Sequence, residues 1–283
     1  MTLSKILVLS MIIVITSAVY ATPKCPTVPQ DGGQCINVGD YELFMKIRGG
    51  KGPVVIFESG RGNDGTVWEQ VATQVSQFAI AVTYDRVNLG YSQLQPHADK
   101  PVTAKRVAEN LHTLLQKTKL APPYILVAHS AGGLYTQMFA RMYPKEVAGV
   151  VFVDASSPEQ TFNGKLPAKT NPAYAEALGT VASDQQVLTA GAFPTIPIIV
   201  LTATYHGYKD PNAKLEVVTR DDNKVISITE AEDQKLWEIW QNHLAQLSPY
   251  STHLYAYDSD HYIQKYQPSL VVDAIYTLIK QQK

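Results

Sequence analysis

The sequence predicts an α/β protein built on a mostly parallel, twisted sheet with helices on both faces. Three observations predict it. Short apolar runs without polar alternation recur along the chain, the mark of strands buried on both faces. Between them lie stretches whose apolar residues fall at helical spacing. Four of the runs end directly on residues able to carry chemistry: Ser59-Gly60, Ser130, Asp154 and the loop holding His261. Ligands of such sheets sit outside the carboxyl ends of the strands, so these four should converge on one edge.

In order, residues 35–38 and 41–47 flank Gly39-Asp40 and read as an antiparallel hairpin. Residues 53–57 form the next strand, followed by a helix with Trp68, Val71, Val75 and Phe78 on one side. A strand over 79–83 leads to a helix capped by Thr103 and carrying Val107, Leu111, Leu114 and Leu115. The apolar run at 125–128 reads as a strand before Ser130, and Leu134, Met138 and Met142 share one face of the helix after it. Residues 147–153 form a strand ending at Asp154. Residues 157–195 lack a strand-like run and carry a weak helical stretch over 174–188. A strand at 197–201 follows, then a polar loop with short strands to Ile228. Thr229-Glu230-Ala231-Glu232 fits a capping box for a helix bearing Leu236, Ile239, Trp240, His243 and Leu247. The last strand, 253–257, leads to His261, and a final helix starts at Ser269 with Val271, Ile275, Leu278 and Ile279 inward.

Ala128-His129-Ser130-Ala131-Gly132 stands where a strand turns abruptly into a helix. A turn that sharp is strained, needs small neighbours and holds the serine oxygen clear of the sheet, as in a nucleophile elbow. The helix N-terminus behind it favours developing negative charge, and the Ala131 amide can donate to an oxyanion. The simpler alternative is a serine that caps the helix.

With 283 residues, 45% of them hydrophobic, the chain is long enough for one sizeable core. A net charge of −1 gives no reason to expect nucleic-acid binding or electrostatic attachment to a membrane. Lys5, the apolar run 6–20 and the small residues to Ala21 predict a signal peptide over 1–21, cleaved to leave a secreted or periplasmic chain with no stable membrane insertion, the alternative being an uncleaved anchor. Fifteen apolar-leaning residues are short for a membrane span. Cys25 and Cys35, the only cysteines, predict one disulfide in an N-terminal arm over 22–35, with the main domain at 36–283. No histidine accompanies them at metal-ligand spacing.

From about Ile36 onward the sequence resembles the α/β-hydrolase superfamily. The order of elbow serine, acid and terminal histidine is the family's. Asp260-His261-Tyr262-Ile263-Gln264 before Pro268 is similar to the surroundings of its catalytic histidine, and Asp85-Arg86 through Gly90 and Ser92 to its D-R-x-G-x-G-x-S loop, with Asn88 for the first glycine. Ser59-Gly60-Arg61 occupies the place of the His-Gly oxyanion loop, and Ala128 replaces the elbow's first glycine. The resemblance implies Ser130 as nucleophile, His261 as base, the amides of Ala131 and Arg61 as oxyanion donors, a small cap insertion at 157–195, and no cofactor or metal. It places the acid after the strand at 197–201, where the common position holds His206 and the nearest carboxylate is Asp210. Some members use the end of the preceding strand, here Asp154, which is favoured because the acid must reach a buried imidazole nitrogen.

Other candidates have simpler readings. His129 packs beside the elbow; His97, His112, His206, His243 and His253 are surface or core residues; Asp258 and Asp260 are loop residues; Trp237 and Trp240 pack in the core. Arg61 either binds a substrate carboxylate or pairs with Glu58. The leading expectation is a serine hydrolase taking a small-molecule ester, thioester or amide, with a modest acyl or alcohol group under so small a cap. The alternatives are cofactor-free haloperoxidase, lyase or carbon–carbon hydrolase chemistry on the same triad, and a slow ligand-binding or receptor domain.

Overall fold

The computed structural model describes Cys25 and residues 32–95, 100–163, 165–204, 210–220 and 224–282. The expected signal peptide and His97 and His206 lie outside the described residues. The chain begins with the hairpin β1 (Gln34–Asn37) and β2 (Glu42–Arg48), paired antiparallel. Next come β3 (Val54–Glu58), a single 3₁₀ turn (Gly65–Trp68), α1 (Glu69–Val75) and β4 (Ile80–Tyr84). α2 (Ala104–Lys117) precedes β5 (Tyr124–His129), α3 (Gly132–Met142) and β6 (Val147–Val153). The cap segment holds β7 (Phe162–Asn163), α4 (Tyr174–Leu178) and α5 (Thr180–Thr189). The chain continues through β8 (Ile198–Ala203), β9 (Lys214–Thr219), β10 (Val225–Thr229) and α6 (Glu230–Ala245). It closes with β11 (Ser251–Ala256), α7 (Ile263–Tyr266) and α8 (Pro268–Gln281).

Eight strands form one sheet in the order β1-β2-β4-β3-β5-β6-β8-β11, parallel from β4 to β11. Because side chains alternate along a strand, each central strand feeds two cores. Ile56, Leu126, Val150 and Phe152 pack with α2 and α3, whereas Phe57, Val127, Val151 and Val153 pack with α1 and α8. Large side chains such as Trp68, Phe57 and Phe139 are fully buried, each stabilising the fold by roughly 1.5–3 kcal/mol. The register sets Glu58 beside Ala128, His129 beside Val153 and Val153 beside Leu201. The carboxyl ends therefore line up along one edge.

Four local expectations change. Thr103 sits at the N-cap of α2 without a side-chain cap bond. Cap residues satisfy the orphan donors instead: Ala104 N donates to Ser183 Oγ at 2.9 Å and Lys105 N to Gln186 Oε1 at 2.9 Å. Residues 157–195 do contain a strand, β7, which pairs with β9 to make a second, antiparallel sheet β10-β9-β7. The helical stretch there divides at Gly179 into α4 and α5. The capping box of α6 forms at Thr229 and Glu232, yet its buried residues are Trp237, Trp240, Gln241 and Leu244, while Ile239 is exposed. That face turns inward because Trp237 and Gln241 find hydrogen-bond partners next to β6. The Cys25–Cys35 disulfide is formed, with the Cα atoms 6.1 Å apart.

Candidate active site

Ser130 has φ +52°, a left-handed conformation that costs a non-glycine residue of order 1–3 kcal/mol. Its surroundings hold it there: the Ser130 carbonyl accepts from Gly133 N at 2.9 Å and from Ser156 N at 2.7 Å. The small neighbours have a direct cause. A Cβ at Gly132 would lie 2.7 Å from the Glu58 carbonyl, and one at Gly60 would lie 3.0 Å from Ser130 Cβ. The loop after β3 thus runs against the nucleophile candidate, bringing Gly60-Arg61 to the serine that precedes α3.

Asp154 directly follows β6, also at positive φ (+43°), and is fully buried. Its Oδ2 lies 2.7 Å from His261 Nδ1. Its Oδ1 accepts from Ala203 N at 2.9 Å and from Trp237 Nε1 at 2.8 Å. An ionised carboxylate only accepts, so His261 Nδ1 is the donor in this pair, the tautomer that a proton-accepting Nε2 would require. The His261 side chain is 32% exposed, so it is reachable from outside. Asp210 lies in an exposed turn, where its Oδ1 accepts from Asn212 N at 2.9 Å. The structure brings Asp154, and not Asp210, to His261.

His129 is buried and its Nε2 donates to the His261 carbonyl at 2.8 Å. Burial lowers its pKa to about 3, so the ring is neutral and anchors the backbone of its neighbour. Arg61 does not pair with Glu58. Its Nη2 donates to Thr180 Oγ1 at 2.8 Å, and Glu58 pairs with Arg86 at 2.6 Å. Two further histidines among the described residues have local partners. His112 stacks on Tyr143 at 3.8 Å, and His253 Nε2 lies 2.7 Å from Thr202 Oγ1. Asp260 Oδ1 accepts from Tyr262 N at 2.7 Å, a loop role.

Two residues of the site carry no motif. Trp237 and Glu176 come from α6 and the cap, each far in sequence from its partners. The only signal for Trp237 was its place on an amphipathic helix, which reads equally as packing. Among the described residues, no group of three His, Cys, Asp or Glu side chains gathers where a metal ion could be held.

A strained serine at a strand–helix turn and a buried aspartate on a histidine, all at the carboxyl edge of a parallel sheet, define the α/β-hydrolase class. The family model of the alpha/beta hydrolase fold matches residues 53–272, and the chain belongs to that family. The protein YqjL of Bacillus subtilis is 30% identical over 107 residues, 38% of this chain and 41% of that one. The chain spans less than half the length of the curated relatives it matches. Among solved structures, Cfl2 of Burkholderia cenocepacia aligns with a TM-score of 0.63 at 15% identity, over 87% of this chain and 95% of that one. A thermophilic esterase from Thermogutta terrifontis aligns at 0.57 and 17% identity, over 85% and 94%. These likenesses are of fold.

Proposed function

We propose that the protein is an exported serine hydrolase that cleaves carboxylic esters through an acyl-enzyme, with Ser130, His261 and Asp154 as its triad. The observation that carries this reading is the 2.7 Å contact between His261 Nδ1 and buried Asp154 at the edge where Ser130 sits in its left-handed turn. In the proposed reaction Ser130 Oγ attacks the acyl carbon as its proton passes to His261 Nε2. The carbonyl electron pair moves onto oxygen, where the amides of Ala131 and Arg61 stabilise it. The tetrahedral species collapses by expelling the alcohol, which takes the proton from His261. Water then repeats the cycle on the acyl-enzyme and releases the acid. Asp154 holds the imidazole tautomer and stabilises the imidazolium. The small cap favours a modest acyl or alcohol group. The apolar N-terminal run and the Cys25–Cys35 disulfide support export. No helix among the described residues is long and apolar enough to cross a membrane.

The test is hydrolysis of nitrophenyl esters from acetate to decanoate by the wild type and by Ser130→Ala. The reading expects turnover of the shorter esters and a loss of at least about 10³-fold in the variant. Equal turnover by the two proteins would overturn it.

A further inference from the structure

The loop between β3 and the 3₁₀ turn is tied to the cap by a buried ionic network. Arg86, 2% exposed, donates from Nη1 to the Ser59 carbonyl at 2.8 Å and from Nη2 to the Gly60 carbonyl at 2.7 Å. Its Nη1 also reaches Glu58 Oε1 at 2.6 Å, and its Nε reaches Glu176 Oε1 at 2.6 Å. Glu176 stands on α4 and is 1% exposed; its second oxygen, Oε2, accepts from Gly62 N at 2.8 Å. Tyr84 OH donates to the second oxygen of Glu58, and Arg86 lies 5.0 Å over the Tyr135 ring of α3. Burial opposes the Arg86 charge, but Glu176 and Glu58 outweigh it and hold the guanidinium charged.

Peptide planarity gives this network a consequence. In a trans peptide the N–H points opposite to the C=O. Anchoring the Gly60 carbonyl on Arg86 therefore aims the Arg61 N–H to the other side. The next amide, Gly62 N–H, is consumed by Glu176. The Arg61 amide is thus fixed through the carbonyl of its own peptide, held by Arg86 and by Asn63 N at 3.1 Å, and through the following peptide, held by Glu176 of the cap.

We propose that Glu176 is a positioning residue that couples docking of the cap to the aim of the Arg61 amide, with Arg86 as the link between them. The proposal rests on the serine-hydrolase reading above. Seated in this way, the cap completes the oxyanion hole, and a cap displaced from Arg86 leaves the Arg61 amide unrestrained on one side.

Glu176→Gln tests it with the shape of the side chain kept. Arg86 and Gly62 bond to different oxygens of Glu176, and the amide replaces one of these acceptors with an NH2 donor, so one of the two contacts becomes donor against donor. Rates are taken per active site, titrated with a fluorophosphonate. The expected result is a fall in kcat of roughly 10²-fold with KM little changed, and an equal loss of affinity for a trifluoromethyl ketone that forms an oxyanion on Ser130. Arg86→Lys, which keeps the charge but loses the fork that spans both carbonyls, should show the same pattern. Hydrogen exchange supplies a readout independent of turnover: amides of residues 60–63 should exchange faster in Glu176→Gln while those of β5 do not. A purely structural role would lower the titrated fraction and the melting temperature but leave kcat per site and ketone affinity alone; that result overturns the proposal. So does unchanged exchange at 60–63. A wild type inert to both esters and fluorophosphonate overturns the serine-hydrolase reading, and the exchange experiment then still decides whether cap and loop are coupled.

Discussion

Asp154 accepts from His261 Nδ1, Ala203 N and Trp237 Nε1, and its side-chain contacts should be visible in the kinetics of variants. Asp154→Asn keeps the shape of the side chain but stabilises the wrong histidine tautomer, so kcat should fall by about 10⁴. Asp210→Asn should leave kcat unchanged, since the Asp210 carboxylate closes its own exposed turn. The reverse ranking of the two variants would refute the assignment. Trp237→Phe removes the indole donor from Asp154 Oδ1 and should cost about tenfold in kcat/KM, the order expected for one hydrogen bond to a charged group. A Trp237→Phe enzyme as fast as the wild type would show that the indole only packs. Buried His129 adds a pH dependence to stability: its pKa is lowered to about 3 by burial, whereas an exposed imidazole titrates near 6.5, so its contribution is complete above pH 6.5 and is lost as pH falls below it. Between about pH 6.5 and 4 the urea midpoint of the wild type should therefore fall more steeply with decreasing pH than that of His129→Gln. Equal slopes in the two proteins would contradict this.

At the scale of elements, the cap is joined to the hydrolase fold by polar contacts at named points. Ser183 and Gln186 of α5 supply the N-terminal capping of α2, where Thr103 does not. Ser183→Ala should cost about 1 kcal/mol by urea denaturation, whereas Thr103→Ala should cost only a few tenths. Equal losses would mean that Thr103 caps the helix in solution. The N-terminal arm makes a second attachment. The Cys25–Cys35 bridge closes a loop of ten residues, which stabilises the fold by about 2–3 kcal/mol in the chain-entropy view. The arm's cysteines are far in sequence from every triad candidate. The native protein should therefore show no titratable thiol, and reduction should lower the melting temperature while leaving esterase activity intact. Two free thiols before reduction would contradict the bridge.

For the molecule as a whole, what could be read from sequence follows from where each residue's partners lie. Ser130, Asp154 and the His261 loop each come directly after an apolar run, so the parallel sheet alone gathers them at one edge. Choosing Asp154 over Asp210 required only that the acid be buried. The α6 capping box was equally plain, because Thr229 and Glu232 are three residues apart. Trp237, Glu176 and Gln186 were not legible, since their partners are Asp154, Arg86 with Gly62, and Lys105, all remote along the chain and unmarked by any pattern. Arg61 was misread in part because Glu58 is close in sequence, whereas the guanidinium that fits between Glu58 and Glu176 belongs to Arg86. The fold and the candidate triad are thus legible in local patterns, and the contacts that steady them only in packing. The central claim is that Ser130 is the nucleophile, and a covalent adduct tests it most directly. The protein is incubated with a fluorophosphonate, digested and mapped by mass spectrometry. The account predicts one adduct per chain, on Ser130, with ester hydrolysis lost in proportion to labelling. Hydrolysis that persists in fully labelled protein, or an adduct that forms equally well in Ser130→Ala, would contradict it.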